Sequence, residues 1–259
     1  MMPDLRVDVD DAIATFTLDR PDALNSLTVP LKEELIKAFR GVAKDPKVRV
    51  VIVTGAGRAF CAGQDLRERL EPDAAPLATE IRERFNPLIL AMRQLEKPII
   101  GAINGIAAGA GASIAFACDI RIAAEGASFL LAFGRVGLIP DSGGTWFLPR
   151  LVGAAKAAEL AMIGDPLAAA AAERFGLVAK VVPPEALMAE ARGLAARLAA
   201  GAPRAFGLTK RALSRAAAST LEEALEYEAW LQGIAGATAD HAEGVAAFVE
   251  KRPPRFTGK

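Results

Sequence analysis

The sequence predicts an α/β fold followed by a helical C-terminal region, and three stretches carry this prediction. Residues 48–57, VRVVIVTGAG, are a β-branched apolar run that ends in glycines, which is typical of a parallel strand buried on both faces. Residues 97–124 have the pattern of a strand, a glycine turn, a helix and another strand. From about residue 150 the composition changes to alanine-rich helical segments. Strands that alternate with helices, followed by helices alone, indicate an α/β core with added helices.

The N-terminal elements follow from simple patterns. Residues 5–18 alternate apolar and polar side chains around an acidic turn, which predicts a β-hairpin. Residues 28–45 carry apolar side chains at helical spacing, and Thr28 is a suitable N-cap for that helix. Residues 71–80 are predicted to form a loop that leads into a helix over residues 81–96.

The later elements are one further strand and a series of helices. Residues 127–133, ASFLLAF, predict a strand. Residues 154–164 and 189–201 are alanine-rich and predict helices. We therefore expect a core over residues 1–200 and a C-terminal helical region over residues 201–259.

Composition excludes several classes of function. The 259 residues include 31 lysines and arginines and 31 aspartates and glutamates, so the formal net charge is zero. This balance argues against broad attraction to nucleic acids or membranes. Cys61 and Cys118 form no disulfide framework and show no metal-type spacing. The acidic start lacks an apolar signal core, and glycines interrupt the longest apolar stretch, 98–120. We expect a cytoplasmic protein that binds neither a membrane nor a metal.

Three glycine-containing loops follow predicted strands, at residues 57–66, 104–119 and 134–146. Ligands gather in such loops at the carboxyl ends of strands in α/β sheets. Glycine beside a helix start leaves backbone N–H groups free to bind a phosphate or an oxyanion that develops on a carbonyl. The chain has neither a P-loop nor a complete dinucleotide fingerprint. The glycines alone also fit a simpler interpretation, in which they only permit close packing of helix and strand.

Few side chains offer acid–base or nucleophilic chemistry. The single histidine, His241, lies far along the chain from the glycine loops, which argues against a histidine-dependent triad. Asp65 is interpreted as a brace within its loop, and Asp119 as the partner of Arg121 at the start of a strand. Asp141, in GLIPDSGGTW, remains. It is either the N-cap of the following helix or a carboxylate whose pKa is raised by apolar surroundings for proton transfer.

The three loops together resemble the enoyl-CoA hydratase/isomerase, or crotonase, superfamily. The matching stretches are, in family order, LDRPDALNSL, VVIVTGAGRAFCAGQDL, KPIIGAINGIAAGAGASIAFACDIRIAAEGASF, GLIPDSGGTWFLPRLVG and EGVAAFVEKRPPRF. They span nearly all of the chain. The resemblance implies a crotonase-like fold of repeated ββα units, with C-terminal helices that form a homotrimer or a dimer of trimers.

The resemblance also implies a site. Family members stabilise a thioester enolate with two backbone N–H groups, which by motif belong to Cys61 and Ala110. Coenzyme A enters as part of the substrate thioester, with no permanently bound cofactor. Its expected contacts in the core are Ala23, Ala59, Gln64, Asp65 and Leu66. Phe248 and Lys251 are expected at the nucleotide end, from the same or a neighbouring subunit.

Two departures from the family pattern favour isomerisation over hydration. Hydratases use two glutamates, and this chain has Ser113 and Phe133 at those positions. Hydratases carry glycine where this chain has Asp141, and an acid there resembles isomerase members. Related dehalogenases pair a nearby aspartate with a histidine in an earlier loop, and no histidine precedes His241.

The resulting hypothesis is an acyl-CoA isomerase in which Asp141 shuttles a proton within a pocket walled by apolar side chains, namely Phe133, Leu138, Ile139 and Trp146. Water or Asn86 could assist it. A fatty-acid Δ3,Δ2-enoyl-CoA isomerase or hydratase is an alternative. A non-catalytic homologue that binds acyl-CoA or RNA is another, and the neutral charge argues against RNA.

Overall fold

A computed structural model describes residues 4–259. Ten strands are present, β1 to β10, at Leu5–Asp10, Ile13–Leu18, Val50–Gly55, Ala59–Cys61, Ile99–Ile103, Ile106–Ala108, Ile120–Ala124, Ser128–Leu130, Leu167–Ala168 and Lys180–Val182. Eleven α-helices, α1 to α11, span Val29–Lys44, Leu77–Glu80, Asn86–Gln94, Ala110–Ala117, Gly144–Val152, Ala154–Ile163, Ala169–Arg174, Leu187–Ala199, Pro203–Ala216, Leu221–Gly236 and Ala239–Glu250. Both counts refer to residues 4–259.

The strands form two sheets that share one repeating unit. The larger sheet has the order β1-β2-β3-β5-β7-β10, and only β1 runs antiparallel to its neighbour. The smaller sheet has the order β4-β6-β8-β9, in which β4, β6 and β8 are parallel. The pairs β3–β4, β5–β6 and β7–β8 each place their first strand in the larger sheet and their second in the smaller one. This confirms the expected repeated ββα units and the crotonase-like fold.

Alternation along the central strands separates two apolar layers. Val51 and Val53 of β3 face the layer that contains the smaller sheet and helices α1, α3 and α4. Val50 and Ile52 face the opposite layer, where they pack with the buried leucine and alanine side chains of α8. Successive strand residues point to opposite faces, so a strand that is apolar at every position must be covered on both sides.

Several predicted elements have different bounds. The strand over 127–133 shortens to β8, and residues 132–136 form a turn of 3-10 helix that contains Phe133. The helix expected at residue 81 begins at residue 77, and its second turn, 81–85, is π-helical. The short strands β4 and β6 were not predicted, because three residues are too few to show a period. Thr28 caps α1 as expected, accepting a hydrogen bond from the N–H of Leu31 at 3.3 Å.

The C-terminal region, 203–250, is helical. The core region expected over residues 1–200 begins with three residues that lie outside the described part of the chain. Within residues 4–259, no helix combines the length and apolarity needed to cross a bilayer.

Candidate active site

Helix α4 begins directly against the end of β4, which brings Ala110 and Cys61 together. Ala110 is the first residue of α4, so the helix provides no acceptor for its N–H group. A Cβ atom on Gly111 would lie 2.2 Å from the carbonyl oxygen of Cys61. A Cβ atom on Gly63 would lie 3.3 Å from the nitrogen of Ala110. Only glycine permits these approaches, which explains two glycines in the loops that the sequence singled out.

Asp141 lies in the loop before α5, at the other side of the first turn of α4. The hydroxyl of Ser113 donates to the backbone oxygen of Asp141 at 2.9 Å. The side-chain hydroxyl of Ser142 donates to Oδ1 of Asp141 at 2.9 Å. Ser142 is buried and adopts a left-handed conformation with φ 51°. The loop therefore brings the backbone of Asp141 against the helix that begins at Ala110.

The alternative that Asp141 caps the following helix is wrong. Gly143 occupies the N-cap position of α5, and no side chain caps that helix. The turn is closed instead by the backbone, because the N–H of Gly144 donates to the carbonyl oxygen of Asp141 at 2.8 Å. The carboxylate of Asp141 is consequently free for another role.

Burial tunes the charges at this site. It raises the pKa of Asp141 above its ordinary value, while the Ser142 hydroxyl and the positive charge of Lys32 act in the opposite direction. Burial also raises the pKa of the Cys61 thiol to about 12, so that side chain stays protonated. Cys61 thus has no thiolate to offer as a nucleophile, and its main-chain N–H remains as its possible contribution.

The four apolar residues expected around Asp141 differ in burial, and their role as a pocket wall stays a prediction. Phe133 is buried, and its ring tip lies 3.9 Å from where a Cβ on Gly109 would be, beside the start of α4. Leu138 and Ile139 are 39 % and 79 % exposed. Arg150 stacks over the ring of Trp146 at 4.1 Å. Trp146 also lines a cavity of about 340 Å³ together with Phe116 and other residues.

The expected coenzyme A contacts of the core lie along one loop pair. Residues 20–27 lie alongside residues 59–66. The N–H of Leu27 donates to the oxygen of Gly63 at 2.7 Å, and the N–H of Asp65 donates to the oxygen of Leu27 at 3.1 Å. This arrangement brings together Ala23, Ala59, Gln64, Asp65 and Leu66. Leu66 is exposed and Ala59 is buried.

Asp65 acts as the loop brace predicted from the sequence. Its Oδ2 accepts from the guanidinium of Arg20 at 3.2 Å and from the hydroxyl of Ser26 at 3.1 Å. Burial alone would raise the pKa of Asp65, but the N–H of Arg67, the Ser26 hydroxyl and Arg20 together lower it. The carboxylate of Asp65 is thus engaged by neighbouring groups of the protein.

The predicted pairing of Asp119 with Arg121 is wrong. Asp119 accepts from Arg93 at 2.9 Å and from Nζ of Lys210 at 2.8 Å. Arg121 is buried and donates to main-chain carbonyl oxygens, among them that of Leu177 at 2.5 Å. The partners of Asp119 come from α3 and α9, distant in sequence, so local spacing could not identify them.

The C-terminal candidates lie away from these loops. Phe248 is 85 % exposed on α11 and lines a groove with Ala202, Gln232 and His241. Lys251 ends α11 in a left-handed conformation and is also exposed. Asn86 is exposed in its helix, and no hydrogen bond joins it to Asp141 within residues 4–259. The role of Phe248 and Lys251 in nucleotide binding stays a prediction.

The structure contains a buried ion pair, Lys32 with Glu80, that was not predicted from the sequence. Lys32 is fully buried in the first turns of α1 and donates to Glu80 of α2, while Arg84 donates to the other carboxylate oxygen of Glu80 at 2.6 Å. The Lys32 ammonium lies 4.6 Å from the ring centroid of Phe85. A signal was present, because Lys32 falls within the apolar helical stripe of Leu31, Leu35, Ile36 and Phe39.

The arrangement combines two chemical capacities. The free N–H at the start of α4, next to the end of β4, suits a carbonyl oxygen on which negative charge develops. A carboxylate with a raised pKa, in the loop that Ser113 of α4 contacts, suits proton transfer.

Comparisons with known proteins identify the family. The profile of the family described as enoyl-CoA hydratase/isomerase matches residues 8–259. The 1,2-epoxyphenylacetyl-CoA isomerase of Escherichia coli K12 is 43% identical, with 100% of both chains covered. The trans-2-decenoyl-[acyl-carrier-protein] isomerase of Streptococcus mutans is 36% identical, with 97% of both covered. The crystal structure of an enoyl-CoA hydratase from Bacillus anthracis has a TM-score of 0.91 at 38% identity, covering 99% of this chain and 100% of that one.

These similarities, with the fold, define an enzyme of the crotonase superfamily. The chain belongs to the enoyl-CoA hydratase/isomerase family, and its activity is that of an acyl-CoA isomerase or hydratase. The resemblance seen in the sequence motifs is thereby confirmed.

Proposed function

We propose that the protein is an isomerase of CoA thioesters that converts ring-1,2-epoxyphenylacetyl-CoA to 2-oxepin-2(3H)-ylideneacetyl-CoA and shifts double bonds in related unsaturated acyl-CoA. The observation that carries the proposal is the carboxylate of Asp141, which caps no helix and has a raised pKa. The similarity to the epoxyphenylacetyl-CoA isomerase of Escherichia coli, 43% over the full length, supports the choice of substrate.

The proposed mechanism moves one proton. Asp141 removes an acidic proton from the carbon next to the thioester carbonyl, and the N–H groups of Cys61 and Ala110 bind the enolate oxygen that forms. The same carboxyl group returns the proton to a ring carbon. The carbon–carbon bond shared by the epoxide and the six-membered ring opens to give the seven-membered oxepin. No atom is gained or lost, so one carboxylate suffices and no water is added.

Each oxyanion donor contributes about 3 kcal/mol to the stability of the transition state in comparable sites.

Ser113 and Phe133 stand where hydratases carry their two acids. The absence of acidic side chains at these two positions supports isomerisation over hydration.

Substitution of Asp141 by asparagine tests the proposal. Asp141→Asn preserves shape and hydrogen bonding but cannot take a proton, so we expect kcat on the epoxide thioester to fall by about 10²–10⁴-fold. Binding of a saturated CoA thioester, measured by calorimetry, should remain. Asp165→Asn, an exposed aspartate with a side chain 77% accessible, is the control. A folded Asp141→Asn enzyme with wild-type turnover would contradict the proposal.

An aliphatic substrate is the second candidate, because the relative from Streptococcus mutans is named as a trans-2-decenoyl-[acyl-carrier-protein] isomerase. The ratio of kcat/KM for the epoxide thioester and for a Δ3-enoyl-CoA separates the two. A ratio far below one would favour a Δ3,Δ2-enoyl-CoA isomerase. Salt-dependent RNA binding without turnover of either thioester would instead favour the non-catalytic alternative.

We further propose that the chain assembles as a homotrimer or a dimer of trimers, and that Phe248 and Lys251 reach the nucleotide of coenzyme A in that assembly. The large apolar side chains exposed on α10 and α11 support this proposal. The soluble composition and the zero formal charge support a cytoplasmic location.

A further inference from the structure

Ser113 lies where the helix that begins at Ala110 meets the loop that carries Asp141. It is fully buried in α4, three residues after Ala110, so both belong to the same turn. Its hydroxyl donates to the backbone oxygen of Asp141 at 2.9 Å. One helical turn thus contacts both halves of the site.

The opposite face of this turn packs closely against the end of β4. A Cβ atom on Gly111 would lie 2.2 Å from the oxygen and 2.8 Å from the Cβ of Cys61. The backbone of α4 therefore rests directly on the residue that ends β4. The position of Ser113 relative to Cys61 and Ala110 is fixed by backbone contact and not by adjustable side chains.

The contact between Ser113 and the Asp141 loop is equally close. A Cβ atom on Gly144 would lie 3.0 Å from Oγ of Ser113 and 3.3 Å from Cβ of Pro140. The Asp141 carbonyl already accepts the N–H of Gly144 at 2.8 Å, so it would not be left unpaired without Ser113. The Ser113 hydrogen bond is therefore not needed to satisfy the loop, and its effect is to hold the loop at one distance from α4.

We infer that Ser113 is a positioning residue, which sets the distance between the oxyanion-binding N–H groups and the carboxylate of Asp141; this rests on the isomerisation proposed above. A carboxylate that takes a proton from one carbon and returns it to another must be held within about 0.5 Å of its productive position relative to the bound substrate. Misplacement by about 1 Å can cost 10²-fold in rate. Ser113 couples the two halves through a single hydrogen bond.

The substitution Ser113→Ala tests this inference. We expect kcat to fall by about 10-fold to 10²-fold, with KM and the affinity for a saturated CoA thioester unchanged. Hydrogen exchange of residues 140–144 should become faster, a readout that needs no turnover. Ser113→Cys keeps a donor at this position, although a weak one, so it should give a smaller change in the same direction. It also serves if the alanine variant does not fold.

Ala115→Gly is the matched control, because Ala115 is a buried residue of α4 without a hydrogen bond to the loop. It lowers helix stability without touching Asp141, so kcat and the exchange of residues 140–144 should stay at wild-type values. Wild-type kcat and exchange in Ser113→Ala would overturn the inference, and so would equal losses in Ala115→Gly.

Asp141→Asn, assayed in parallel, separates this inference from the proposed function. If Asp141→Asn is inactive and Ser113→Ala behaves as wild type, only the positioning role fails. If Asp141→Asn retains turnover, the proposed mechanism fails. In that case, hydrogen exchange of residues 140–144 in Ser113→Ala still tests whether the bond from Ser113 to the Asp141 backbone holds the loop. Faster exchange supports this role, and wild-type exchange contradicts it.

Discussion

The chemistry of Asp141 follows from the groups that surround one carboxylate. Burial removes water and disfavours the charged form, which raises its pKa. The Ser142 hydroxyl, 2.9 Å from Oδ1, stabilises the charged form and limits the rise. Lys32 acts in the same direction through its positive charge. A base held between these influences can both accept and return a proton, as isomerisation requires.

The raised pKa predicts opposite effects of Asp141→Asn on activity and stability. The folded state of the wild type binds a proton more tightly than the unfolded state, whose aspartate has the ordinary pKa of 3.8. The stabilisation from this proton is present below pH 3.8 and is lost as pH rises through the higher folded pKa. The ionised Asp141 therefore costs stability at pH 7.

We accordingly expect Asp141→Asn to raise Tm at pH 7, and the gain to shrink as pH approaches 4. For the wild type, kcat should decline on the acid side with an apparent pKa above 3.8. Thermal melts at several pH values measure the change in Tm, and a kcat–pH profile measures the apparent pKa. A lower Tm at pH 7 than in wild type would contradict the prediction, and Asp165→Asn should change neither.

At the scale of single residues, the sequence directs attention to Asp141 because other chemistry is scarce, and its role stays a prediction. Asp141 was identified because few other acids or histidines accompany the glycine loops. The partners of Asp119 could not be inferred, since Arg93 and Lys210 come from separate helices. The anchoring role of Ser113 depends on a contact across 28 residues, which no local pattern reveals.

Among the elements, α1 carries a charge where its pattern requires an apolar side chain. Lys32 and Glu80 are buried together, with side chains 0% and 4% accessible. Because Glu80 begins the π-helical turn over residues 81–85, the pair joins α1 to an irregular part of the following helix. Irregular helix turns of this kind are frequent at functional sites. The pair fixes the register of that helix against α1.

Breaking this pair should destabilise the protein strongly. We expect Lys32→Met to lower the free energy of unfolding by about 3 kcal/mol, the lower end for a broken buried pair, because Arg84 still neutralises Glu80. The double variant Lys32→Met/Glu80→Leu removes both charges and should recover most of the loss. Urea denaturation of the two variants measures this.

The exposed Lys37 of the same helix provides the control. Lys37→Met should change the free energy of unfolding by less than about 0.5 kcal/mol. Equal effects of Lys32→Met and Lys37→Met would contradict the role of the buried pair. Lys32→Met also removes a positive charge that lowers the pKa of Asp141. The apparent pKa on the acid side of its kcat–pH profile should therefore be higher than in the wild type.

For the molecule as a whole, the sequence predicts the layers better than the connections. The run over residues 48–57 identifies the central strand β3, because burial on both faces requires an unbroken apolar pattern. In the second sheet only β8 is predicted from a pattern, since its strands are two or three residues long. Its position follows from the repeat of a long strand in one sheet and a short strand in the other. That repeat brings the glycine-containing loops after β4 and β6 together, at Gly63 and Ala110.

The C-terminal region exposes large apolar side chains, and the proposed assembly rests on this surface. Helix α10 exposes Leu225 and Trp230 by 56% and 53%, and α11 exposes Phe248 and Val249 by 85% and 73%. Exposed apolar side chains of this size favour burial against another protein. Homo-oligomers of identical chains satisfy such a surface with closed symmetry.

We therefore expect sedimentation velocity to give a species of three or six times the 27.1 kDa chain. Two aspartates in this surface, Leu225→Asp/Val249→Asp, would bury charge without a partner, which shifts the assembly toward monomer. The single variant Val9→Asp, on a residue of β1 that is 52% exposed, should leave the mass unchanged. A wild-type chain that sediments as a monomer at micromolar concentration would contradict the proposed assembly. If Phe248 and Lys251 reach the nucleotide from a neighbouring subunit, the monomeric variant should also show a raised KM for CoA thioesters, while the core site with Asp141 remains folded.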